Sequence, residues 1–165
     1  MPKKPLIIIG GGGHAKVILD LIRQCNDYKA VGFTAPNPNS PLSESGLKYF
    51  GDDTCLPELF LQGITNAVMG FADINNTLRQ EKFETIRKWG FAFPPLVHPS
   101  ATLANNVVIN DGTIVMAKAV INTGTIINTN VIINTGAIVE HDCILGNSAQ
   151  IGPGAILCGG VIVEK

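Results

Sequence analysis

Charge is scarce in this chain. Asp, Glu, Lys and Arg make up 15% of its 165 residues, against roughly 25% in an ordinary globular domain. Between Val97 and Val163 the only ones are Asp111, Lys118, Glu140 and Asp142. A net charge of −1 offers nothing to attract nucleic acid or an anionic membrane surface. Cys25, Cys55, Cys143 and Cys158 lack any C-x-x-C spacing; we read four reduced thiols in a cytoplasmic protein and expect no metal. No apolar run is long enough to span a bilayer, so membrane insertion is not expected. The lysines and short apolar run of "MPKKPLIII" imitate a secretion signal, but Gly10-Gly11-Gly12-Gly13-His14 cuts the run too early.

What the chain has instead is a period. Val97, Leu103, Ile109 and every sixth residue on to Val163 are branched aliphatics, with no step missed. Four residues after each stands a small or β-branched residue, from Ala101 and Val107 to Ala155 and Val161. A helix repeats at about 3.6 residues and a half-buried strand at about two, whereas a period of six marks a parallel β-helix of hexapeptides. Each block supplies one short strand and a corner, three blocks close a triangular coil, and coils stack as parallel strands. The aliphatic points inward. Its four-on neighbour is small because the prism narrows there, which makes Cys143 a core thiol. Gly and Asn recur at corners because they accept positive φ. Residues 96–165 form this domain, a little under four coils from residue 97 on, or roughly 18 Å of stack at ~4.7–4.9 Å per coil.

Residues 1–95 follow a different rhythm. Leu6 to Ile9 reads as a buried strand, Gly10 to Gly13 as a tight turn, and Ala15 to Gln24 as a helix with Val17, Ile18, Leu21 and Ile22 on one face. Tyr28 to Phe33 is a second strand, followed by the loop "TAPNPNSPLSESG". Thr54 can cap a short helix over Leu56 to Leu61, Asn66 to Gly70 is a strand, and Asn75 or Asn76 opens a helix ending near Trp89-Gly90. Alternating strands and helices predict a small Rossmann-like α/β domain with a parallel sheet. Phe93-Pro94-Pro95-Leu96 makes a stiff boundary before the repeat.

Gly10, Gly12 and Ala15 satisfy G-x-G-x-x-A between a strand and a helix, where backbone amides can face a phosphate. A nicotinamide fingerprint also wants an acidic residue at the end of the second strand, and here that end reads Phe33-Thr34-Ala35. The turn therefore suits a nucleotide or nucleotide-sugar phosphate better than NAD. A turn that merely lets helix and strand pack is the plainer alternative.

In a wall of Asn, Thr and Gly corners, Glu140-His141-Asp142 is an isolated ionisable cluster. An imidazole can take a proton from an attacking amine or hydroxyl near neutral pH, and a neighbouring carboxylate can hold its tautomer. Eighteen residues on, one full coil later, the chain reads Cys158-Gly159-Gly160, so stacking sets Gly159 beside the His141 corner. A solvated polar corner is the bland alternative for the triplet.

The glycine turn ending in His14, Val97-His98-Pro99-Ser100-Ala101 at the junction, and Ile133-Asn134-Thr135-Gly136-Ala137 continuing into Glu140-His141-Asp142-Cys143 together resemble the bacterial sialic acid O-acetyltransferases and nucleotide-amino-sugar N-acetyltransferases, over essentially the whole chain. The resemblance implies a left-handed β-helix, a homotrimer, acetyl-CoA as donor, a sugar or nucleotide-sugar as acceptor, and sites between neighbouring subunits. It implies His141 as base, with Asp142 as orienting partner and Glu140 as the alternative. Gly159, with its bare amide near the thioester carbonyl, belongs to the donor side together with Gly160 and Gln150. Gly10, Gly12, Gly13, His14 and Thr34 fall on the acceptor side, and His98 is structural. Two departures from the family pattern stand out: no acidic residue follows the second strand, and the repeat stops at Val161-Ile162-Val163-Glu164-Lys165 in mid-coil. That end implies a shortened form with weakened CoA binding, or a cover for the exposed strands. The rival expectation is a catalytically silent trimer that binds nucleotide-sugars. A zinc enzyme on this scaffold needs three imidazoles, and the repeat holds only His98 and His141.

Overall fold

The computed structural model describes residues 2–73 and 77–164, and the chain divides into two compact units, Met1–Pro94 and Pro95–Lys165. In the first unit, strands β1 (Lys4–Ile9), β2 (Tyr28–Thr34) and β3 (Asn66–Met69) form a parallel sheet in the order β2-β1-β3. Central β1 is the apolar run Leu6–Ile9, at most 1% exposed, as expected of a parallel strand covered on both faces. Helix α1 (Gly13–Gln24) turns Ala15, Ile18, Leu19, Leu21 and Ile22 inward, a spacing of three and four that makes one apolar stripe. Helices α2 (Leu56–Leu61) and α3 (Thr77–Lys88) bury Leu56, Leu59, Phe83 and Ile86 with β1 and β3 residues in one core.

The cap of the short helical segment differs from the sequence reading. Asp52, not Thr54, is the capping residue: its Oδ1 accepts the Thr54 N–H at 3.0 Å and opens a 3-10 turn, Asp53–Cys55, that leads into α2. Asp can both sit in extended backbone and accept from the residue two on. The start expected at Asn75 or Asn76 lies outside the described residues. Among the described residues no helix is long and apolar enough to cross a membrane.

In the second unit, two-residue strands recur every six residues from Leu96–Val97 (β4) to Ile162–Val163 (β15) and stack every eighteen into three parallel four-stranded sheets. The periodic aliphatics fill the middle of the prism; Val115, Ile121, Ile127, Ile133, Val139 and Leu145 are each at most 1% exposed. Each such side chain, fully buried, contributes about 1.5–3 kcal/mol. The small positions narrow the prism, and where they are polar they are satisfied: Thr113 and Thr125 are fully buried and donate to the carbonyls of Asn128 and Glu140 at 2.9 and 3.0 Å. Cys143 is buried among them, as its slot predicts. Every sixth residue from Gly112 to Gly160 takes a left-handed corner, with φ between 58° and 74°. On the outside, Val108, Ile126, Ile144 and Ile162 form an exposed apolar column on one sheet.

Candidate active site

His141 occupies the corner between the strands Ile138–Val139 and Ile144–Leu145. The stack fixes the backbone here: Gly160 N–H donates to the His141 carbonyl at 2.8 Å, and Asp142 N–H to the Thr123 carbonyl at 2.9 Å. Asp142 is the left-handed residue of this corner, with φ 58°, a conformation that short polar side chains tolerate. This bend turns its carboxylate back onto the imidazole, and His141 Nδ1 lies 2.9 Å from Asp142 Oδ2. A carboxylate accepts, so in the neutral ring this contact puts the proton on Nδ1 and leaves the Nε2 lone pair open. The two side chains remain 59% and 70% exposed.

Glycines clear space on both sides of the pair. A Cβ on Gly159 would lie 2.5 Å from His141 Nε2, and a Cβ on Gly124 would lie 2.3 Å from Asp142 Oδ1. Gly159 therefore stacks against the imidazole as the coil spacing predicts. Glu140 goes elsewhere: its Oε2 accepts from Asn122 Nδ2 at 2.8 Å, so the alternative in which Glu140 orients the ring is not what the structure shows. The Gly160 amide is spent on the His141 carbonyl. Gln150 lies in the strand Gln150–Ile151, on the sheet that starts at Leu96–Val97; it is not brought to the corner that carries His141. His98 Nδ1 accepts from Ser100 N–H at 3.0 Å, and Ser100 Oγ in turn accepts from Lys118 N–H at 3.1 Å, a turn-holding role.

The first unit has its own cleft at the carboxyl ends of its strands, where ligands of open parallel sheets bind. Gly10, Thr34, Pro36, Asp53, Phe71 and Lys82 are among the residues around a cavity of about 260 Å³. Gly10 follows β1 with φ 110° and donates its N–H to the Thr34 carbonyl at 2.8 Å. Thr34 Oγ1 donates to Asp53 Oδ1 at 2.7 Å, and Lys82 Nζ pairs with Asp53 Oδ2. The cleft thus joins Gly10 and Thr34 of the sequence reading with two groups the sequence did not single out. Asp53 and Lys82 are 29 residues apart, in the 3-10 turn before α2 and on α3, and no local pattern pairs them.

Gly12 caps α1 and Gly13 begins it, and a Cβ on either meets nothing within 4 Å; neither lines the cleft. Gly11, passed over in the sequence, is the packing glycine, since a Cβ there would lie 2.3 Å from Ser40 Oγ. His14 is half-buried in the first turn of α1, and its buried Nε2 has no hydrogen-bond partner. Burial, and then the nearby Arg79 charge, push its pKa from 6.5 down to about 4. Between those two values the unfolded chain takes up this proton and the folded chain does not. Stability is therefore lost as pH falls through that window and is unaffected above it. From pH 7 to pH 5 the wild type is expected to lose about 2 kcal/mol more stability than His14→Gln. Denaturant melts at both pH values check this, and parallel losses in the two proteins would refute it.

Residues 5–86 match the PglD N-terminal domain family. Over 115 residues the chain is 32% identical to UDP-N-acetylbacillosamine N-acetyltransferase of Bacillus subtilis (strain 168), an alignment that covers 69% of this chain and 52% of that protein. The chain thus spans about half the length of that curated relative. Among solved structures, PerB from Caulobacter crescentus in complex with CoA and GDP-perosamine is 38% identical with a TM-score of 0.88, over 96% of this chain and 73% of that one. The acetyltransferase domain of PglB from Neisseria gonorrhoeae FA1090, in complex with acetyl coenzyme A, is 29% identical with a TM-score of 0.79, over 99% of this chain and 86% of that one. The fold is accordingly a Rossmann-like α/β unit followed by a left-handed parallel β-helix.

Proposed function

The chain belongs to the family of nucleotide-amino-sugar N-acetyltransferases, and from that premise we propose that it moves the acetyl group of acetyl-CoA to the amine of a nucleotide-linked amino sugar. The observation that carries this reading is the His141–Asp142 pair held against Gly159 at a corner of a wall otherwise made of Asn, Thr and Gly. The sugar amine attacks the thioester carbonyl, the new C–N bond forms, and His141 Nε2 accepts the proton released from nitrogen. Asp142 holds the ring and stabilises the imidazolium. The oxyanion meets the exposed Gly159 N–H. As the C–S bond breaks, the CoA sulfur leaves and takes up the proton that His141 holds. No acyl-enzyme is needed, because a bound amine is itself a competent nucleophile.

The amine is the acceptor in this reading because the relatives are named for N-acetyl transfer. The first unit takes the nucleotide-sugar. Its pyrophosphate meets the amides of Gly12 and Gly13 at the uncrowded N-terminus of α1, with Thr34 and Gly10 beyond it in the cleft and His14 behind. The relatives are named for a UDP-linked sugar in one case and a GDP-linked sugar in the other. The exposed column of Val108, Ile126, Ile144 and Ile162 supports a homotrimer, in which a second copy covers that sheet. In such an assembly Gln150, on a different sheet from the His141 corner, serves the donor site of a neighbouring copy. A cytoplasmic location fits both the reduced cysteines and a thioester donor.

Incubating the purified chain with acetyl-CoA and UDP- or GDP-linked amino sugars tests the proposal through release of free CoA thiol. Thiol release that saturates with both substrates is expected. Release that does not depend on the amino sugar, or no saturable binding of acetyl-CoA, would overturn it in favour of a silent binding protein.

A further inference from the structure

The polar groups of the first-unit cleft stand in a row. Thr34 Oγ1 donates to Asp53 Oδ1 at 2.7 Å, and Lys82 Nζ donates to Asp53 Oδ2. Along this row the carboxylate presents two adjacent acceptor oxygens, and the ammonium then presents a donor. Each carboxylate oxygen has about two lone-pair sites, so each retains one for a ligand. The Asp53 and Lys82 side chains are 23% and 34% exposed, both line the cavity, and Pro36, Phe71 and Leu78 supply apolar walls around them. Flat walls and one polar edge are what a nucleobase requires.

We propose that Asp53 and Lys82 read the pairing edge of guanine, making a guanine nucleotide the carrier of the acceptor sugar; this rests on the reading above that the chain acts on a nucleotide-sugar. Guanine carries the acceptor O6 followed by two N–H donors, at N1 and at the 2-amino group. These match the ammonium and the two carboxylate oxygens in order. Uracil offers one donor between two acceptors, so a carbonyl oxygen faces a carboxylate oxygen. Adenine and cytosine each offer a single donor, so one carboxylate oxygen finds no partner. A buried acceptor left without its donor is what makes such an edge selective.

Calorimetric titration of the full chain with GDP, UDP, CDP, ADP and inosine diphosphate tests the assignment. GDP is expected to bind at least about tenfold more tightly than the other bases. Inosine diphosphate lacks only the 2-amino group, and its affinity should fall about tenfold below that of GDP with no change made to the protein. Asp53→Asn replaces an acceptor with a donor and should remove the preference for GDP. Equal or tighter binding of UDP or CDP, or of inosine diphosphate, overturns the guanine assignment while acetyl transfer to another nucleotide-sugar still stands. Binding of none of these nucleotides, with thiol release also absent, overturns both.

Discussion

His141→Ala is expected to lower kcat by roughly 10²- to 10⁴-fold, the usual contribution of a positioned general base, with little change in the melting transition. The two halves of this expectation come from the same geometry. The imidazole is 59% exposed, and the neighbours that pack the prism are Val139 and Cys143, not His141. Its backbone bonds run through main-chain atoms, so they survive loss of the ring. The left-handed strain of the corner falls on Asp142, which is untouched. Truncating an exposed side chain away from such features changes stability by only about 0.5 kcal/mol. The amine proton, however, has lost its acceptor. Steady-state assays beside thermal melts decide the matter. An unchanged kcat rules out His141 as the base, and a collapsed melt means the ring is structural.

Gly159→Ala is the second large effect expected, a loss of about 10²-fold in kcat from the scale of a misplaced catalytic group. The added methyl would lie 2.5 Å from Nε2 and 2.6 Å from Cε1 of His141, so the ring has to swing away from the place where Asp142 holds it. Gly160→Ala makes the converse change. Gly160 has φ 72° and an open position for a Cβ, so alanine there strains the backbone by about 1–2 kcal/mol while leaving the imidazole alone. The first variant is expected to lose turnover and keep its stability, the second the reverse. In a His141→Ala background, Gly159→Ala should add little further loss, because the group it displaces is gone. Full turnover by Gly159→Ala would show that the ring does not work from its present position.

The prism is legible in the sequence because one rule governs every inward position, and a rule repeated from Val97 to Val163 cannot be mistaken for local noise. The same arithmetic finds Gly159 beside His141. It does not choose between Glu140 and Asp142 as partner of the ring, although the choice is written in the corners. Residues 118, 124, 130 and 136 are all left-handed, and 142 is next in that series, so Asp142 had to be the residue whose side chain turns back. Glu140, before the bend, reaches Asn122 instead. The first unit is legible only in its elements. Its sheet and helices follow from apolar runs and glycine punctuation, but the cleft is made by tertiary pairing of Thr34, Asp53 and Lys82, for which a single sequence carries no period. Thr54 and Asp52 are both residue types that cap well, and backbone geometry gives the place to Asp52.

The stacking of equivalent residues every eighteen positions constrains how this protein can change length. Removing or inserting a single hexapeptide before Glu140 keeps every aliphatic inside and the fold intact, yet it carries the His141 corner a third of the way round the axis relative to the coils before it. Only whole turns of the coil can be gained or lost upstream without rotating the chemistry, so descendants of this chain that remain active should differ there by multiples of a full turn.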